Sequence, residues 1–149
     1  MARVSIQTAD FDLSAEVAAL RAADGGVGAV ASFIGTVRDR NDGAGVSRME
    51  LEHYPGMTER AIRAIMDQAM SRWSLEDALV IHRHGRLSAQ EPIMMVATAA
   101  RHRADAFAAA EFLMDYLKSR APFWKKEIGA DGAEWVAARD EDEAALTRW

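Results

Sequence analysis

Residues 93–128, IMMVATAARHRADAFAAAEFLMDYLKSRAPFWKKEI, change period twice and so decide the fold class. Ile93 to Ala99 is an uncharged, largely apolar run of strand length. Ala104 to Lys118 follows the helical period, with Phe107, Ala110, Met114 and Leu117 on one stripe. Pro122 ends that helix, because proline disfavours helical geometry at the residue before it. Phe123 to Ile128 then returns to an extended pattern and reads as a hairpin with Glu134 to Ala137 around Asp131-Gly132. Strand, helix and hairpin in immediate succession belong to a mixed architecture.

The segments before this stretch repeat the alternation. Arg3 to Ile6 is a short strand. Asp12 caps a short helix whose Leu13, Val17 and Leu20 share a face, and Asp24-Gly25-Gly26 stops it. Val27 to Val37 reads as a strand, and the polar Asp39 to Gly45 as a loop. Met49, Leu51 and His53 alternate with Arg48, Glu50 and Glu52, the period of a half-buried strand. Pro55-Gly56 breaks it. A helix follows, with Ile62, Ile65, Ala69 and Trp73 at helical spacing. Leu79 to His82 is a further strand, joined to Ile93–Ala99 through Gly85 and a turn near Ser88. From Arg139 the chain is a charged tail ending in Trp149. The expectation is an α+β sandwich: one mixed, largely antiparallel sheet, two long helices, a short N-terminal helix and a C-terminal hairpin, in one domain over residues 1–149.

The 149 residues carry a formal net charge of -5, which speaks against a nucleic-acid binder with a broad basic face. There is no cysteine, so thiolate nucleophiles and cysteine metal sites are excluded. No apolar run has the length of a signal peptide or of a membrane span. A cytoplasmic protein is expected.

Gly25-Gly26-Val27-Gly28 lacks the third glycine of a dinucleotide loop and precedes a strand, so it reads as a turn. His82 and His84, two apart on a strand, face one way. With no third ligand nearby they read as core or surface histidines, not as a metal site. Arg101-His102-Arg103 stands where a strand gives way to a helix. Cations there oppose the helix dipole but suit an anion; a solvated basic turn is the equal alternative. Met114 and Lys118 lie one helical turn apart, and the Pro122 turn lets Lys125 come back toward Lys118. A cationic pocket with aromatic walls for a flat anionic ligand is one reading, and ordinary surface lysines on either side of a turn is the other. Arg38 and Phe33, near the end of the Val27–Val37 strand, are candidates for a site mouth.

Taken in order, these pieces resemble one family. Gly28-Ala29-Val30 with Phe33-Ile34-Gly35-Thr36-Val37-Arg38, Leu51-Glu52-His53-Tyr54-Pro55-Gly56-Met57, His82-Arg83-His84-Gly85-Arg86-Leu87, His102-Arg103 with Ala106-Phe107, and Met114-Asp115-Tyr116-Leu117-Lys118 with Pro122-Phe123-Trp124-Lys125-Lys126-Glu127 resemble, in register, the large catalytic subunit of molybdopterin synthase, the MoaE family. Gln90 departs from the pattern, which more often has glycine before the acidic residue at Glu91.

The resemblance implies a sulfurtransferase of molybdenum cofactor biosynthesis. It converts cyclic pyranopterin monophosphate (precursor Z) to molybdopterin, with sulfur from the C-terminal Gly-Gly thiocarboxylate of a small ubiquitin-like carrier subunit. It implies a homodimer at the centre of a heterotetramer and no metal or organic cofactor. Lys118 and Lys125 are the expected catalytic residues. Arg38, His102 and Arg103 are expected to hold substrate or its phosphate, as forked arginine donors suit. Phe33, Met114 and Arg139 are expected to line the pocket. A scaffold that only binds a ubiquitin-like tail, and a lone pterin- or nucleotide-phosphate lyase, are the competing classes.

Overall fold

The computed structural model describes residues 2–41, 44–45, 48–129, 132–136 and 140–149. Ten strands and four helices succeed one another among them: β1 (Arg3–Gln7), α1 (Leu13–Ala22), β2 (Ala29–Thr36), β3 (Arg40–Asn41), β4 (Ala44–Gly45), β5 (Arg48–His53), α2 (Met57–Arg72), β6 (Asp77–Arg83), β7 (Gly85–Ser88), β8 (Pro92–Ala100), α3 (Arg103–Arg120), β9 (Phe123–Gly129), β10 (Gly132–Val136) and α4 (Asp140–Ala145). A 3-10 turn, Leu146–Arg148, follows.

The expected single sheet is two sheets. The first has the order β1-β6-β8-β2, the second β10-β9-β5-β7. Only β1 and β6 run parallel; the other pairs are antiparallel. The first sheet is covered on both faces. Val80, Val96, Ala78 and Ala31 pack with Ile62, Met66, Phe112 and Leu113 of α2 and α3. Leu79, Ile81, Met95 and Ala97 pack with Leu20 of α1. Burial on two faces explains why β6 and β8 read as continuous apolar runs without alternation. The second sheet keeps one apolar face, Met49, Leu51 and Leu87, closed by Val37 and Ile93. Its β5 therefore shows the period of two.

Local chemistry sets the boundaries. The Asp12 carboxylate accepts from the Ala15 N–H at 3.1 Å and caps α1. Ala121, extended at φ -79 and ψ 131, ends α3 ahead of Pro122.

Four further expectations change. The loop from Asp39 to Gly45 contains a minimal antiparallel ladder, Arg40 with Gly45 and Asn41 with Ala44. The Asp42-Gly43 pair is a hairpin signal that the loop reading passed over. Gly85–Ser88 is a strand, not only a connection. The charged tail carries α4. On α3 the buried side is Ala106, Ala109, Phe112, Leu113 and Leu117, one position round from the expected stripe, and Phe107 is 66% exposed. Two alanines beside the sheet let the helix sit close and turn Phe107 outward. Asp131 and Ala137 of the expected hairpin lie outside the described residues.

Candidate active site

The C-terminal end of α3 and the start of β9 meet over the ends of β5 and β6. Thr58, fully buried in α2, ties this corner together. Its hydroxyl donates to the Pro122 carbonyl at 3.1 Å and accepts from the Tyr54 N–H at 3.0 Å. The first residues of β9 are thus anchored to the start of α2. Lys118 comes from α3, where its charge lies at the helix end that favours cations. Lys125 comes from β9, paired with Leu51 of β5. Opposed residues share a face, so Lys125 lies on the inner face with Met49, Leu51 and His53.

Both lysines act on His82. This residue, 9% exposed at the end of β6, stacks on Phe123 with centroids 3.7 Å apart and planes at 16°. Its Nδ1–H donates to the Arg83 carbonyl at 2.8 Å, since a carbonyl can only accept. Burial lowers its pKa from 6.5 to about 4, and the charges of Lys118 and Lys125 and the neighbouring His53 push the same way against that hydrogen bond. The ring is neutral at physiological pH and walls the lysines with a low-dielectric surface. His84 lies beyond the end of β6, and its ring sits 4.4 Å from that of His53. Burial and His53 lower the pKa of His84 as well. The two histidines of the His-Arg-His run thus share His53 as a neighbour, and His82 is the one stacked on Phe123. Among the described residues no group of three or more His, Asp or Glu is arranged to hold a metal.

A second constellation lies at the opposite end of α3. A cavity of about 610 Å3 is lined by Gly28, Ala29, Arg101, His102, Arg103, Ala104 and Phe107. His102 is the extended N-cap residue of α3, with no side-chain capping bond. The first-turn N–H groups and two cationic side chains suit an anion there. Gly28 is required by space: a Cβ at this position would stand 2.2 Å from the Arg101 carbonyl oxygen. Arg101 itself is engaged by Glu76 at 3.4 Å.

Arg38 belongs to a third place, a cavity of about 400 Å3 lined by Thr36, Val37, Arg38, Asp39 and Gln90. Ala29 pairs with Ala100 and Thr36 with Pro92, so Arg38 and the His102-Arg103 pair stand at opposite ends of β2. At strand rise that is roughly 20–25 Å. One chain does not bring Arg38 together with His102 and Arg103. Phe33, on β2 between them, is partly exposed and lies on the α3 side of the sheet, and Met114 packs partly buried against the core on that side. Arg139 lies outside the described residues.

Sequence reading left His53, His82 and Phe123 out of the site. The signal for His82 was a polar residue directly continuing the apolar run Ala78–Ile81 within the same strand; for His53 it was the inward phase it shares with Met49 and Leu51.

Residues 6–120 match the family model described as MoaE protein. The chain is 66% identical over 149 residues to the molybdopterin synthase catalytic subunit of Ralstonia nicotianae, covering all of this chain and 85% of that one. It is 63% identical over 147 residues to the protein of the same name from Cereibacter sphaeroides, covering 99% of each. The solved molybdopterin biosynthesis MoaE protein of Burkholderia ambifaria superposes with a TM-score of 0.86 at 58% identity, covering 100% of this chain and 98% of that one. Fold and sequence agree, and this chain belongs to the MoaE family.

Proposed function

We propose that this chain is the catalytic subunit of a molybdopterin synthase and that Lys118 and Lys125 form its reaction centre. The substrate is cyclic pyranopterin monophosphate, and sulfur comes from the Gly-Gly thiocarboxylate of a small ubiquitin-like carrier. The observation that supports this reading is the convergence of Lys118 from α3 and Lys125 from β9 on the buried, neutral His82. Lys118 is exposed and Lys125 half-buried, so an anionic tail that covers them displaces water and strengthens its contact with both amines. Lys118 is the principal catalytic residue, carried on a rigid helix. Lys125 supports it. Two sulfurs enter in succession, so the pocket keeps an intermediate while carriers exchange. The reaction takes place in the cytoplasm.

His102 and Arg103 hold the substrate's phosphate beside the start of α3, and Arg38, Lys118 and Lys125 join them from a second copy of the chain, because the two ends of one α3 stand roughly 20 Å apart. The separation along β2 supports this, since Arg38 and Arg103 of one chain cannot reach one phosphate. Phe33 and Met114 line the space between, and Arg139 is assigned to the same wall by family resemblance. The test is single-turnover sulfur transfer from a thiocarboxylated carrier to the pterin precursor. At sub-saturating precursor, Arg38→Ala and Arg103→Ala chains, each slow alone, are expected to regain part of the activity when mixed, because one mixed dimer contains one intact site. No recovery on mixing, with dimers demonstrably exchanged, would reject the shared site.

A further inference from the structure

We propose that His53 is a binding residue for the carrier's C-terminal thiocarboxylate, donating a hydrogen bond from Nδ1 to its oxygen. The inference rests on the lysine-centred reading above and extends it to a residue on the opposite strand. His53 ends β5 on the face that Met49 and Leu51 share. The register pairs Leu51 with Lys125 and His53 with Phe123, so His53 stands diagonally across from Lys125 on the same face. Such diagonal neighbours are roughly 7–8 Å apart, within the span of one carboxyl group held between two donors.

The ring is held from two sides. The His84 ring lies 4.4 Å away, tilted by 53°, and the Phe123 ring 6.4 Å away, tilted by 37°. Yet Nδ1 of His53 is buried and has no hydrogen-bond partner among the described residues. A buried polar atom without a partner is rare and costly, and a functional site is one of the places where it persists. His84 and His82 neighbour it and Lys125 lies diagonally across, while Lys118 acts on the same His82 from α3; Glu127 stands two positions beyond Lys125 on the same face of β9. A positive neighbourhood selects an anionic acceptor, and the carrier's terminus is the anion that must reach Lys118. The phosphate of the pterin is accounted for at the other end of α3.

The experiment measures the affinity of two carriers, one ending in the Gly-Gly thiocarboxylate and one with both glycines removed. His53→Phe keeps a ring and removes the nitrogen. It is expected to weaken the full carrier roughly tenfold or more and to leave the shortened one unchanged. His53→Asn, whose amide nitrogen stands near the place of Nδ1, is expected to restore most of the loss. His53→Gln, which reaches toward the place of Nε2, is not. Wild-type affinity in His53→Phe overturns the proposal. So does an equal loss with both carriers, which marks a structural role, or equal rescue by Gln and Asn. If His53→Phe does not fold, the Asn and Gln pair carries the test alone. A wild-type chain that binds both carriers equally overturns the lysine-centred reading itself, and the role of His53 with it. Loss of sulfur transfer in Lys118→Ala together with wild-type carrier affinity in His53→Phe rejects only His53.

Discussion

The two ends of α3 both present cations, to opposite surroundings. At the N-terminal end His102 and Arg103 border an open cavity beside a Phe107 that is mostly in water. At the C-terminal end Lys118 faces the stacked rings of His82 and Phe123, with Lys125 beside it. The helix dipole favours Lys118 and opposes Arg103. A cation that the helix dipole favours beside a stacked pair of rings can be aimed with precision, which proton and group transfer require. A cation placed against the dipole in a wet cavity gains its benefit only when an anion arrives. On the proposed reading the contrast separates a chemistry end from a holding end, and four measurements can break or sharpen it.

The largest effect is expected at the chemistry end. Lys118→Ala should slow single-turnover sulfur transfer by about 10²–10⁴-fold, the usual range for a positioned proton-transfer group. Carrier binding should persist. Restoration of the rate by excess thiocarboxylated carrier would reduce Lys118 to a binding residue and erase the contrast.

Acid should destabilise the same end. His82 titrates near 6.5 when unfolded and near 4 when folded. Between those values the unfolded chain binds the extra proton, so stability present above pH 6.5 drains away as pH falls toward 4. The loss from this one residue is about 3 kcal/mol. His82→Gln should be less stable at pH 7, having lost its ring stack, yet should lose less on acidification. Equal slopes of Tm against pH in the two proteins would contradict the buried, neutral ring.

At the holding end Arg103→Ala is expected to weaken precursor binding about tenfold or more, as loss of one charge-assisted contact should. The rate at saturating precursor should stay close to wild type. Calorimetry that finds unchanged affinity would remove the phosphate from this cavity.

The smallest effect tests a backbone. Gln90 lies at φ 74, the left-handed region that favours glycine. Its N–H donates to the Val37 carbonyl at 2.7 Å, so the turn beside Arg38 depends on this geometry. Gln90→Gly should stabilise the protein by about 0.5–1 kcal/mol, seen as a raised denaturation midpoint, after the larger chain entropy of glycine offsets part of the relief.

The Gln90 position shows what the sequence made legible. Departure from a glycine pattern pointed to that turn, and Gln90 there is in the left-handed region, as Ser74 is elsewhere. The helices and most strands were legible because hydrophobic period and punctuation are local: Asp12, Pro55-Gly56 and Pro122 each fall at the boundary they mark. The division into two sheets was not legible. It depends on β5 pairing with β9, whose residues are far apart in sequence, and composition does not say to which sheet a hairpin adds. The same pairing hid His53 from the site, since only its opposition to Phe123 brings it near Lys125. Gly85–Ser88 was too short to show a period, with Leu87 alone buried. The charged α4 gave no amphipathic signal. It is held by polar contacts instead, Ser119 donating to the Asp142 carbonyl at 2.9 Å and Arg120 meeting Glu143 at 2.7 Å. Lys118 and Lys125 were placed near each other by the Pro122 turn, which is local. Arg38 was grouped with Arg103 by family pattern alone, and the length of β2 keeps them apart within one chain.

The four tryptophans form two optically distinct pairs. Trp149 meets Trp73 edge-on at 5.5 Å and Phe112 at 5.6 Å, with its indole N–H donated to Asp115 at 2.6 Å. Trp124 and Trp135 stand 48% and 57% exposed on the outer face of the second sheet, with the Lys126 ammonium 5.5 Å from the Trp135 ring. The first pair is close and fixed enough for exciton coupling, which gives a near-ultraviolet dichroism band that vanishes when α3 loosens. The second pair emits to the red and is open to acrylamide. One unlabelled sample therefore reports on the helix packing by dichroism and on the hairpin face by quenching, in separate channels.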